Sequence, residues 1–197
     1  MYIDKVLIKN ISALFSIKVA MYLIPLVTLP YLVQTLEPQG FGVLGFSLAI
    51  IQYFILLVNY GFDLSATQKI AQSNGNKSEI SKIFWNVICC RGILCFVAFL
   101  FLILLCELNT QLSEIRMVLI YCYTSVIACV FFPQWLFQGK EEMGLSSIIN
   151  IIVRVFSVPF IFYCVKSKDD VDIAALIPGV FSVFSSSIFT MILSNAG

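Results

Sequence analysis

FWNVICCRGILCFVAFLFLILLC, residues 84–106, is an apolar run interrupted by a single charge, Arg91. A helix needs ~20 such residues to cross the hydrocarbon core of a bilayer. Five further runs of similar character flank it. Together they place spans at 11–33, 41–62, 84–106, 116–138, 147–165 and 172–193. Only helices and closed barrels satisfy their backbone in lipid, and runs of this length read as helices. The expected fold is therefore all-α: a polytopic membrane helix bundle of about six transmembrane helices. Residues 1–197 read as a single bundle.

Composition agrees. The chain is 60% hydrophobic and 12% charged, with a mean hydropathy of +0.97. Soluble domains run near ~25% charged and ~45–50% apolar. The first run is longer than the ~7–15 residues of a signal-peptide core, so it reads as a retained span.

The same sequence narrows the chemistry. There is no histidine, which removes the commonest general base and zinc ligand. No P-loop, GxSxG or HExxH is present. The expectation is a non-enzyme without a cofactor. A net charge of +1 says nothing about partners, and the lack of a basic stripe argues against nucleic acid. Lys166 to Asp172, KSKDDVD, reads as a solvated loop rather than a metal site. The seven cysteines lie in apolar runs without CxxC spacing and read as small buried hydrophobes. Cys106 with Cys164 is the one pairing worth naming.

Pro25 and Pro30 in the first span, and Pro133, Pro159 and Pro178 in the fourth, fifth and sixth, each remove a helix hydrogen bond. They should kink or break their helices, and five across four spans suggest a bundle that moves. Lysines set the orientation. With the N-terminus in the cytoplasm, the inner segments hold Lys5, Lys9, Lys69, Lys77, Lys82 and Lys140. The outer loops then hold only Arg116, Lys166 and Lys168.

Three cations stand inside the spans: Lys18 in the first, Arg91 in the third and Arg154 in the fifth. In that orientation each lies about seven residues past its cytoplasmic entry, roughly 10 Å deep. Charges there are costly. Snorkelling of the long stems to the headgroups explains any one of them. Their common depth favours a shared cationic cavity, suited to a diphosphate because Arg donates paired hydrogen bonds to phosphate. Asp63, ending the second span, has two readings: a charge partner that holds the site closed, or the N-cap of a helix beginning DLSATQKIAQ. Phe131, Phe132, Trp135 and Phe137 read as an interfacial aromatic belt.

Two stretches carry a family likeness. LPYLVQTLEPQGFGVLGFSLAIIQYFILLVNYGFDLSATQKIA (Leu29 to Ala71) resembles the signature region of bacterial O-antigen flippases, in the multidrug, oligosaccharidyl-lipid and polysaccharide exporter superfamily. FFPQWLFQGKEEM (Phe131 to Met143) resembles a second segment of that family. The resemblance implies movement of an undecaprenyl-diphosphate-linked oligosaccharide from the cytoplasmic to the periplasmic leaflet of the inner membrane, by alternating access between two six-helix bundles. It also implies an O-antigen polymerase and a chain-length regulator as partners. This chain supplies one bundle, which makes it resemble a truncated N-terminal half. Lys18, Arg91 and Arg154 rest on depth and charge, and not on the resemblance.

Three alternatives stay open at this level. A small-molecule antiporter of the same superfamily would carry intramembrane acids, of which only Asp63 is near. A membrane enzyme of polysaccharide assembly would carry large polar outer loops, and these are short. A non-transporting membrane component fits a chain with one bundle.

Overall fold

In the computed structural model, residues 22–73, 76–139 and 143–195 are described. Among them, residues 84–106 lie within one long helix, α4 (Lys77–Leu108). Asn76 starts it by accepting the Ser78 amide on its side chain at 3.1 Å, as Asn favours at an N-cap. Before α4 come α1 (Tyr22–Thr35), α2 (Glu37–Asn59) and α3 (Phe62–Gln72). After it come the short α5 (Thr110–Glu114), α6 (Arg116–Phe131), the short α7 (Gln134–Gly139), α8 (Met143–Cys164) and α9 (Val171–Asn195). The fold is an all-α membrane bundle. Four segments are long and apolar enough to cross a bilayer: Glu37–Gln72, Lys77–Leu108, Arg116–Phe137 and Val171–Ile188. Tyr22–Thr35 and Ile148–Cys164 are shorter apolar helices among the described residues.

α4 has 32 residues, about 48 Å at 1.5 Å per residue. It exceeds the ~30 Å hydrocarbon core. Of the stretch between the second and third expected spans, residues 63–83, the end belongs to α4 and most of the rest forms α3.

Most prolines do not break their helices. Pro25 and Pro30 lie within α1, Pro159 within α8 and Pro178 within α9, without interrupting them. A bundle tolerates a lost hydrogen bond where neighbours and small local adjustments cover the carbonyl. Pro133 does sit at a break, between α6 and α7. The other marked break is at Leu36. There the next residue, Glu37, takes a left-handed φ of +58°, and it precedes Pro38, which disfavours the right-handed helical region for Glu37.

Two cores form. The larger joins α2, α4, α6, α8 and α9 through Leu44, Ile51, Phe54, Leu102, Leu119 and Val126, with many more. Tyr123 is its hub. Its ring lies 6.1 Å from Phe54 and 5.1 Å from Phe99, and its hydroxyl donates to the Cys95 carbonyl at 2.7 Å. α9 approaches α6 closely at Gly179, where an added Cβ would collide with the Thr124 side chain and meet the Ser125 nitrogen at 3.1 Å. The smaller core joins α3, α7 and the first half of α4 through Ala66, Ile70, Val87, Trp135 and Leu136.

At the opposite end of the bundle, Tyr31 of α1 donates to the Val165 carbonyl at 2.6 Å. Arg116 pairs with Glu107 at 2.9 Å across the α4–α6 turn. Between α8 and α9, the Asp170 carboxylate accepts the amides of Lys166 and Ser167, at 2.9 Å and 2.8 Å, and the Ser167 hydroxyl at 3.0 Å. The loop KSKDDVD is thus a closed turn. These bonds hold the Asp170 carboxyl below its ordinary pKa, the Lys166 amide contributing most.

The cysteines only partly match their expected role. Cys95, Cys106 and Cys122 are buried, Cys129 and Cys164 intermediate, and Cys89 and Cys90 exposed; all are free. Cysteine is apolar enough to face lipid as readily as a protein core.

Candidate functional site

The two cores meet on α4. Val87 belongs to the smaller and Cys95 to the larger. Arg91 lies between them, one turn from each, as residues four apart share a helix face. It is 1% exposed. Its Nη2 donates to Asp63 Oδ1 at 2.5 Å, while the Asp63 side chain is 49% exposed. The Phe62 ring lies 6.0 Å from the Arg91 Cζ. The Nε of Arg91 is buried and makes no hydrogen bond. A guanidinium has five N–H donors, so this cation is only partly satisfied.

Asp63 therefore acts as a charge partner here, not as a cap. Gly61 occupies the N-cap of α3 at φ +74°, and no side chain caps that helix. Gly61 is one of the places where glycine matters, since other residues resist this left-handed backbone.

The surroundings are polar on one side. Cys129 of α6 donates its thiol to Asn59 Oδ1 at 3.1 Å, at the end of α2 and one turn before Asp63. Thr67 of α3 shares its hydroxyl between the Asp63 carbonyl at 2.5 Å and the Trp135 carbonyl of α7 at 3.2 Å. Trp135 is 1% exposed and Phe137 is also buried; the Trp135 ring lies 6.0 Å from Phe84. Burial takes Trp135 and Phe137 out of the expected belt, and Trp135 is the centre of the smaller core. Phe131 alone of the four is exposed.

Of the expected residues, the structure brings Arg91 and Asp63 together. Lys18 lies outside the described residues. Arg154 is exposed on α8. Asn59, Phe62 and Trp135 were not expected at the site. Asn59 and Asp63 share helical spacing at the end of an apolar run, a signal that points to a common face. Trp135 gives no such signal, because aromatics near a span end are usually interfacial. A cavity of about 430 Å³ runs along α1, lined by Leu26, Leu29, Pro30, Val33 and Gln34, and includes none of these residues.

Residues 7–196 match the family described as polysaccharide biosynthesis protein. The chain is similar to "Putative O-antigen transporter" of Escherichia coli (strain K12), at 34% identity over 189 residues, 96% of this chain and 46% of that protein. It is also similar to the protein of the same name from Shigella dysenteriae, at 32% identity over 187 residues, 94% of this chain and 46% of that protein. The chain thus spans about half the length of the curated relatives it matches. No solved structure matches significantly.

Proposed function

This chain belongs to the polysaccharide biosynthesis protein family, and from that premise we propose that it serves translocation of an undecaprenyl-diphosphate-linked O-antigen oligosaccharide from the cytoplasmic to the periplasmic leaflet of the inner membrane. The observation that carries this reading is its likeness to the two O-antigen transporter relatives along nearly its whole length. The N-terminus lies in the cytoplasm, and no enzymatic step is involved. An O-antigen polymerase and a chain-length regulator are its working partners.

Arg91 supports the reading physically. It is a buried cation with an unused donor, and a diphosphate supplies the anionic oxygens that such a donor lacks. Lys18 and Arg154 join it as diphosphate ligands. Asp63 occupies Arg91 until phosphate oxygens replace its carboxylate.

The test is complementation in a bacterium lacking its own O-antigen flippase. Surface polysaccharide restored by this chain supports the reading and means that one bundle suffices, by pairing of two copies. Restoration only by a version extended with a second bundle assigns the activity to the longer protein. Failure of both refutes the reading. Lys18→Ala, Arg91→Ala and Arg154→Ala, made in whichever version is active, should each reduce surface polysaccharide; if all three leave it unchanged, the cationic site is wrong.

A further inference from the structure

We propose that α3 and α7 move together as a lid over the middle of α4, and that the Asp63–Arg91 ion pair is the latch that keeps it closed.

Four observations place the lid. First, α3 and α7 share a hydrophobic core of their own with the first half of α4, separate from the larger core of the bundle. Second, the two helices are tied to each other: Thr67 of α3 bonds to the Trp135 carbonyl of α7 at 3.2 Å, and Trp135 packs with Ala66 and Ile70. Third, each helix joins the main bundle through a break. For α3 it is Gly61, with its left-handed backbone. For α7 it is Phe132, extended at φ −88°, ψ 103°, followed by Pro133. Breaks of this kind absorb backbone rotation without unwinding the helices they join.

Fourth, the pair sits at the seam. Arg91 lies on α4 between Val87 of the smaller core and Cys95 of the larger. Asp63 is in the first turn of α3, two residues past Gly61. Among the described residues these two side chains make the ion pair that ties the lid to α4. Opening breaks no bond at the Arg91 Nε, which has no partner in the closed form. Opening uncovers a guanidinium that is otherwise 1% exposed.

This motion is independent of what the protein transports, so it is measured without substrate. Hydrogen exchange by mass spectrometry, on the whole chain in lipid nanodiscs, follows residues 62–72 and 134–139 against 44–58 and 118–128. Asp63→Asn should raise exchange in the two lid segments by the same factor, at least tenfold, and leave the other two unchanged. The charge-swapped double variant Asp63→Arg, Arg91→Asp should bring both back to within about threefold of the unaltered chain. Arg91→Lys keeps the charge while losing the planar fork, and should give the same paired response at smaller size; it decides the matter if Asp63→Asn does not fold. Lid segments that respond by different factors, or not at all, overturn the proposal. So does a response to Arg91→Lys that spreads to α2 and α6.

Discussion

Gly179 of α9 lies against Thr124 of α6 so closely that no side chain fits between them. The contact fixes how near the two helices run, since small residues let helix backbones approach in membranes. Serines continue the theme: Ser185 and Ser186 on α9 are also buried.

Gly179→Ala should therefore push α9 from α6. The Thr124 side chain has some freedom, but the Ser125 backbone does not. Overpacking of this kind costs ~1–3 kcal/mol. Thermal unfolding of the purified chain in detergent should show a lowered midpoint. Gly42→Ala, where a Cβ meets nothing within 4 Å, is the control and should leave the midpoint nearly unchanged. Equal effects of the two would show that this contact does not limit packing.

Tyr123 contributes a ring and a hydroxyl, and the two are separable. Tyr123→Phe keeps the contacts with Phe54 and Phe99 and loses the bond to the Cys95 carbonyl. It should cost ~0.5–1.5 kcal/mol. Tyr123→Ala leaves a void in the larger core and should cost ~3–5 kcal/mol, as for other large aromatics. The order is checked by the same unfolding measurement, and a reversed order would count against a packed ring.

The chain has two tryptophans in contrasting places. Trp85 is exposed and Trp135 buried. In a Trp85→Phe chain the fluorescence of Trp135 should resist quenching by brominated lipid and by aqueous iodide. In a Trp135→Phe chain, Trp85 should be quenched readily by one of them. Strong lipid quenching of Trp135 would restore it to the aromatic belt.

Asp170 sets a pH dependence at the α8–α9 turn. Its folded pKa is depressed by the amides of Lys166 and Ser167 and by the Ser167 hydroxyl. Such a group contributes stability that is present above its unfolded pKa and lost as pH falls through the folded one. Protection of the Lys166 to Asp170 amides from exchange should hold at neutral pH and fade on acidification below the ordinary carboxylate range. In Asp170→Asn the fading should be absent. Protection that rises on acidification would reverse the sign and refute the assignment.

The bundle itself is readable from the sequence because lipid imposes a simple rule: long apolar runs become helices. Residues 84–106 needed nothing else. The smaller core is less legible, because its residues do not form one continuous run. Ala66 and Ile70 lie in a segment of ordinary polarity, and Trp135 and Leu136 lie 65 or more residues away in a segment that reads as an interface anchor. Only tertiary contact joins them. The cations show the same limit. Depth along a helix is a property of one span and is legible, whereas direction around the helix depends on neighbours. Arg91 and Arg154 share an expected depth, yet one is sealed between two cores and the other is exposed. Asp63 had two equally good local readings, and Gly61 at the N-cap leaves its carboxylate for Arg91.

The length of α4 makes the protein sensitive to bilayer thickness. A helix of about 48 Å in a ~30 Å hydrocarbon layer must tilt, or project its ends into the headgroups and water. Lys77, Glu79 and Lys82 lie in its first two turns, so that end is already suited to the wet side. A thicker membrane would draw α4 more upright, and a thinner one would lean it over. Since α4 is the helix that both cores share, lipid composition becomes a means of tuning how they sit against each other.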